Sequence, residues 1–200
     1  MARVGHVIGN GDAAITSYKP AKGFKVTCNI PPMNVENTWG TCIVDFKMMN
    51  TINNGGVVIP GDWILGARPH HYINEHQNFR MRYGHQFKDF YLVLPDYVKN
   101  YTDFNCGHFA THYVANHLKC DEIHMHGFNS MFDMDLRSCT DLYLNSDRNN
   151  DNNLRLSDNW RPVWQSMFRE FPEKQFIIYH HHPNIKFMVG DNVEIRTVKK

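Results

Sequence analysis

A chain of 200 residues and 23.4 kDa has room for one domain with an ordinary core, and a hydrophobic content of 42% excludes wholesale disorder. Charged residues make up only 20% and the net charge is +1, which excludes a nucleic-acid coat or membrane-surface protein held by bulk electrostatics. Neutral hydrogen-bonding groups stand in for the ions: there are 21 Asn and 13 His.

Residues 3–8 are β-prone and run into Gly9-Asn10-Gly11, which reads as a strand and a tight turn. Ala13, Ala14 and Ile15 favour a brief helix over 12–18. A second strand covers 24–29 and stops at Pro31-Pro32. Residues 41–46 are nearly continuously apolar and predict a strand covered on both faces. Shorter candidates lie at 57–59 and 63–65. The 66–88 segment is polar and aromatic and predicts no structure of its own, which leaves it for contacts in a homo-oligomer. A strand over 90–94 ends at Pro95. Phe109, Ala110, Tyr113, Val114 and Leu118 make a stripe at helical spacing over 107–119. A short alternating strand follows at 122–127. Residues 144–159 hold six of the Asn and few apolar anchors, and predict a long lid-like loop. Trp160, Val163, Trp164, Met167, Phe168 and Phe171 mark an amphipathic helix with Pro162 in its first turn. A strand at 175–180 closes the pattern, and the tail from Gly190 reads as an edge strand.

Strands that alternate with helices predict one α/β domain over 1–200: a Rossmann-like, doubly wound, mostly parallel sheet with helices on both faces. In such sheets ligands bind beyond the carboxyl ends of the strands, at the point where the strand order reverses. No apolar run nears the roughly 20 residues of a membrane span. The five Cys, at 28, 42, 106, 120 and 139, contain no C-x-x-C pair, so free thiols in a reducing cytoplasm are expected. The residues after Met1 lack the apolar stretch of a signal peptide, which agrees with a cytoplasmic location.

Gly9-Asn10-Gly11-Asp12-Ala13-Ala14 matches the G-x-G-x-x-[GA] dinucleotide fingerprint, in which glycines let the backbone approach phosphate. The acid expected about 20 residues on is replaced by Cys28-Asn29. The first acid after Asp12 is Glu36, and Asp12 itself places a negative charge beside any phosphate, so a plain β-to-α turn stays open. Asn10, Asn29, Asn105 beside Cys106-Gly107, and Asn129 beside Gly127 all fall at strand ends or helix starts. An amide offers both donor and acceptor, which suits ribose hydroxyls and base edges, although Asn is also an ordinary cap residue.

Val7-Ile8-Gly9-Asn10-Gly11, followed by Val26-Thr27-Cys28-Asn29, resembles the N-terminal half of the bacterial sialyltransferase family typified by the Campylobacter lipooligosaccharide enzymes. That family opens with a strand and GNGPS, then a strand that ends in Cys-Asn. Asn105-Cys106-Gly107 is similar to its Thr-Ser-Gly helix start, and Phe128-Asn129-Ser130 after 123–127 is similar to its strand ending in Ser-Gly-Ile-Asp. Residues 144–159 stand where the family has its lid, and Pro183-Asn184 matches a Pro-Asn after its last strand. The resemblance spans 3–185 through few matched positions. It implies a glycosyltransferase that binds a cytidine-type nucleotide sugar, transfers the sugar to a hydroxyl acceptor, and needs no cofactor or tightly bound metal. By that resemblance Asn10 contacts the donor phosphate and Asn29 the ribose or donor sugar. Asn105, Cys106 and Gly107 contact phosphate, and Asn129 faces the base. Two departures stand out. The family's Pro-Ser is Asp12-Ala13 here, and its catalytic His, just before the last long helix, has no counterpart around Asp158-Asn159-Trp160.

Histidine supplies other candidates. His124 and His126 alternate onto one strand face, and His180-His181-His182 follows the closing strand. His126, at a strand's carboxyl end, or His180 is the candidate general base. The His clusters also open a metal-assisted hydrolase reading, although neither C-x-x-C nor H-E-x-x-H is present and no metal ligands are assigned. Arg137, Arg148 and Arg155 lie near the lid, where a guanidinium clamps a diphosphate or simply faces solvent. Arg80 and Arg82 with Tyr83 and Phe87 offer a base-stacking surface or an ordinary loop. The expectation is an inverting glycosyltransferase, with a nucleotide-binding protein that has lost its base as the alternative.

Overall fold

The computed structural model describes residues 2–128, 131, 160–181 and 189–199. Asn129, Arg137, the 144–159 segment with Arg148 and Arg155, His182 and Pro183-Asn184 lie outside the described residues. The chain lays down β1 (Val4–Ile8), α1 (Ala13–Ser17), β2 (Phe24–Cys28), β3 (Gly40–Ile43) and α2 (Phe46–Asn53). Next come β4 (Trp63–Leu65), α3 (Ala67–Glu75), α4 (Gln77–Tyr83), β5 (Phe87–Phe90) and α5 (Cys106–His112). Last come β6 (Glu122–His126), α6 (Arg161–Glu170), β7 (Gln175–His180) and β8 (Val193–Thr197). The strands form one eight-stranded sheet in the order β5-β4-β3-β2-β1-β6-β7-β8, with every neighbouring pair parallel.

The order builds outward from β1 to β5, returns, and builds from β6 to β8 on the other side. Ile8 pairs with Thr27 on one side and His126 on the other, so the switch point lies at the carboxyl ends of β1 and β6. Alternation divides the strand side chains between two layers. Val26, Cys42, Met125 and Ile178 pack with Phe109 of α5 and Trp164 and Phe168 of α6. Ile43, Trp63 and Leu65 pack with Met48 and Ile52 of α2, Tyr72 of α3 and Phe79 of α4. In α6 the buried Val163, Trp164, Met167 and Phe168 share a face, and Pro162 sits in the first turn, where no helical N–H bond is lost. Burying a large apolar side chain contributes about 1.5–3 kcal/mol, so Trp164→Ala is the change most damaging to this helix.

Several elements differ from the sequence reading. The apolar run over 41–46 is two elements, because β3 ends at Ile43 and α2 starts at Phe46, with Asp45 as its N-cap. Residues 57–59 form no strand, and Val58 is 84% exposed. The 66–88 segment has structure of its own: α3, α4 and the start of β5 bury Tyr72, Ile73 and Phe79 within the chain. That removes the reason for assigning it to an oligomer. The strand expected over 90–94 is β5 at Phe87–Phe90, followed by an extended stretch. The 107–119 helix changes pitch, with a π-helical turn at Tyr113–His117 after α5. The tail is the edge strand β8. Among the described residues no helix is long and apolar enough to cross a membrane.

Candidate functional site

At the switch point the chain is tied across the sheet. Gly9 N–H donates to His126 O at 2.7 Å and Gly11 N–H to Gly127 O at 3.0 Å. A Cβ at Gly9 would lie 2.5 Å from Gly127 O; one at Gly127, whose φ is 75°, would lie 2.7 Å from Gly11 O. Glycine at both positions is therefore demanded by main chain against main chain. Two of the N–H groups of this turn are thus engaged across the sheet.

The β2 end lies beside it. Asn29 holds φ at 45°, a left-handed conformation that Asn tolerates, and its N–H donates to Cys42 O at 2.9 Å. The Cys106 thiol points at Cys42 O (3.1 Å) and Asn29 Oδ1 (3.7 Å), which joins α5 to the ends of β2 and β3. Burial pushes the Cys42 and Cys106 thiols well up, so neither is a thiolate nucleophile. Asn105 caps α5: its Oδ1 accepts the His108 N–H at 3.1 Å, while its own N–H donates to His108 Nδ1 at 3.2 Å. That leaves the proton on His108 Nε2, which donates to Trp160 O at 3.1 Å. A Cβ at Gly107 would lie 2.7 Å from the Phe128 ring, so close packing sets that glycine. Gly9, Asn10, Gly11, Asn29, Asn105, Cys106, Gly107 and Gly127 thus gather along the same carboxyl edge of the sheet, at the ends of β1, β2 and β6 and the start of α5.

The two candidate bases do not converge. His126 lies beneath α1, where Nδ1 and Ser17 Oγ share a hydrogen bond of 3.0 Å, and its ring stacks on Tyr179 at 4.6 Å. It is 3% exposed, and Nε2 has no hydrogen-bond partner among the described residues. Burial, then the neighbouring His6 and His124, lower its pKa to about 3. Tyr179 pairs with His126, so His180, the next residue of β7, points to the opposite face and is fully buried. His181 Nε2 stands 3.5 Å from Asp12 Oδ1, beside the glycine turn.

Of the other histidines, His6, His108 and His112 are buried, while His71, His85 and His117 are exposed. His6 stacks on His124 at 4.8 Å and His126 at 5.9 Å, ring over ring. Among the described residues no three His, Cys, Asp or Glu side chains come together to hold a metal ion. Two Tyr–His–Glu chains went unnoticed in the sequence. Glu122 Oε1 lies 2.6 Å from His124 Nε2, and Tyr179 OH lies 3.0 Å from its Nδ1. On the α5–α6 side, Glu170 Oε1 lies 3.3 Å from His112 Nε2, and Tyr91 OH lies 2.7 Å from Nδ1. A carboxylate only accepts, so each Nε2 carries the proton and each tyrosine donates to Nδ1. Glu122 and His124 alternate on one strand, a signal the sequence offered; His112 and Glu170 are remote in the chain and offered none. Arg82 donates to Asn53 O at 3.3 Å, and Tyr83 and Phe87 pack on Trp63 at the amino ends of β4 and β5, away from this edge.

A second concavity, also unread in the sequence, lies over the carboxyl ends of β3 and β4. Val44, Gly66, Arg68, Tyr91, Tyr101 and Phe109, with the extended 92–94 stretch, line a shallow cleft whose space of about 310 Å³ includes the open solvent at its mouth. Compared with known proteins, the chain matches no family model, no curated protein and no solved structure.

Proposed function

We propose that this chain binds a nucleotide sugar, of cytidine type by its motif resemblance, and transfers the sugar to a hydroxyl acceptor. One observation supports the reading above others: a parallel doubly wound sheet with Asn10, Asn29 and Asn105 at its switch-point edge. Asn29 and Asn105 each have Oδ1 engaged within the protein and an amide NH₂ to offer a ligand. Neutral amides read ribose hydroxyls and base edges without a charge field, which agrees with the low net charge. In the reaction the acceptor oxygen bonds to the anomeric carbon, the bond to the donor phosphate breaks, and a base takes the hydroxyl proton.

A second reading, nucleotide binding without turnover, is favoured by His126. A buried imidazole with a pKa near 3 is a weak base and is closed to an acceptor. The test is calorimetric titration with CMP, a CMP-sugar, UDP-glucose and GDP-mannose, followed by assay for nucleotide release. Saturable cytidine binding with release supports transfer. Binding without release supports the second reading, and no binding across the panel refutes both.

A further inference from the structure

The two Tyr–His–Glu chains share a chemistry and differ in their surroundings. Tyr91 and His112 are buried, and the group that donates to the Tyr91 oxygen is the neutral Asn116 amide at 2.8 Å. Burial pushes the Tyr91 hydroxyl up to about 12, so that chain is closed and protonated. The other chain lies on a face of the sheet. Alternation along β6, β7 and β8 turns Glu122, His124, Tyr179, Glu194 and Arg196 to the same side. Glu122, His124 and Tyr179 are partly exposed, and Glu194 and Arg196 are exposed. Tyr179 donates to His124 Nδ1 at 3.0 Å, while Glu122 at 2.6 Å from Nε2 orients the imidazole. A cation completes the set: Arg196 Nη1 donates to the Tyr179 oxygen at 3.3 Å. Stacking holds both rings, His6 on His124 at 4.8 Å and His126 on Tyr179 at 4.6 Å. Glu194 grips Arg196 through Nε (2.6 Å) and Nη2 (2.9 Å). A hydroxyl whose proton faces an oriented base, and whose lone pair faces a cation, is built as an activated nucleophile.

We propose that Tyr179 is the nucleophile of an esterase site on this sheet face, with His124 as its base and Arg196 facing the oxyanion, and that its substrates are small neutral aryl esters. The assignment goes beyond the nucleotide reading and does not rest on it. Charge selects the electrophile. Around the Tyr179 hydroxyl two carboxylates, Glu122 and Glu194, stand against one guanidinium, which disfavours an anionic phosphoryl group and leaves a neutral carbonyl. The nucleophile selects the leaving group. A phenol oxygen that attacks a carbonyl is expelled again unless the other oxygen leaves at least as readily, which an aryl ester satisfies. The Tyr179 oxygen bonds to the carbonyl carbon and its proton passes to His124 Nδ1. Negative charge on the former carbonyl oxygen faces Arg196. The intermediate collapses, the aryl oxygen leaves with the bonding pair and takes the proton from His124, and the acyl group stays on Tyr179. Water then attacks the acyl carbon and gives its proton to His124. The Tyr179 oxygen leaves and recovers that proton.

The test incubates the full chain with 4-nitrophenyl acetate, follows 4-nitrophenol release, and maps the acetyl group by peptide mass spectrometry after an acid quench. The expected result is continued turnover with acetyl on Tyr179 and none on Tyr91. Tyr179→Phe, which keeps the stacked ring, and His124→Gln should each slow release about 100-fold. Arg196→Met should slow it about tenfold. Glu122 acts through His124 as a positioning residue, so Glu122→Gln should lower kcat about tenfold at unchanged KM. Release no faster than in buffer, or acetyl spread over lysines and other histidines with Tyr179→Phe as fast as the wild type, overturns the proposal. Acetyl that forms on Tyr179 once and never turns over overturns the esterase assignment.

Discussion

Lowering the pH from 7 to 5 should strip this protein of much of its stability, because the fold holds three histidines neutral. His6 titrates near 4, and His108 and His126 near 3, against 6.5 for an ordinary histidine; burial is the largest cause in each case. For His6, the neighbouring His124 and Lys25 add to the lowering, while the Lys22 carbonyl and Glu122 oppose it. His126 faces His6 and His124, and His108 faces the Trp160 carbonyl. Between pH 6.5 and 4 the unfolded chain binds protons that the folded chain refuses, so stability falls as pH falls. At pH 5 each group accounts for about 2 kcal/mol, and the three for about 6 kcal/mol, against a total stability of about 5–15 kcal/mol. With a urea slope of about 2–3 kcal/mol per molar, the unfolding midpoint should drop by about 2–3 M. Tryptophan fluorescence in urea at pH 7, 6 and 5 measures this directly. His6→Phe, which retains a ring in the stack, should remove about a third of the pH dependence. A midpoint that holds still or rises between pH 7 and 5 would refute the reasoning.

Gly127→Ala should cost about 2–4 kcal/mol in urea unfolding, since the residue is left-handed at φ 75° and its Cβ would stand 2.7 Å from Gly11 O; a loss under about 0.5 kcal/mol would contradict the strand-end closure. His112→Phe should cost about 1–3 kcal/mol by leaving the Tyr91 hydroxyl and the Glu170 carboxylate without their shared partner, and the same unfolding assay reads it. Cys28, Cys42, Cys106 and Cys120 should resist iodoacetamide in the native protein and react once it is unfolded, as peptide mass spectrometry shows. Rapid native alkylation of Cys106 would mean that the α5 start opens away from Asn29.

The strands β1, β2, β6 and β7 were legible because each is a short apolar or alternating run bounded by Gly, Pro or polar residues. α2 was hidden because Val44 continues the apolar run of β3, so the helical spacing of Met48, Met49 and Ile52 follows directly on a stretch that reads as strand. In α3 and α4 the core residues Tyr72, Ile73 and Phe79 are interleaved with His, Asn and Arg, so local polarity masked them until Trp63 supplied a packing partner. At the site, the Gly9 and Gly11 turn was visible, but its cause was not: only the register of β1 against β6 brings Gly127 to it. The same register puts His126 and His180 on opposite faces, which spacing within one strand cannot show. The cleft was invisible because Val44, Gly66, Tyr101 and Phe109 come from four separate segments.

The central claim is that the switch-point edge binds a nucleotide. Backbone amide NMR of the full chain during a CMP titration tests it most directly. The account predicts saturable shifts centred on Gly9, Asn10, Gly11, Asn29, Asn105, Cys106, Gly107 and Gly127. Shifts absent at saturating CMP, or clustered at the amino ends of the strands around Trp63 and Phe87, would contradict it.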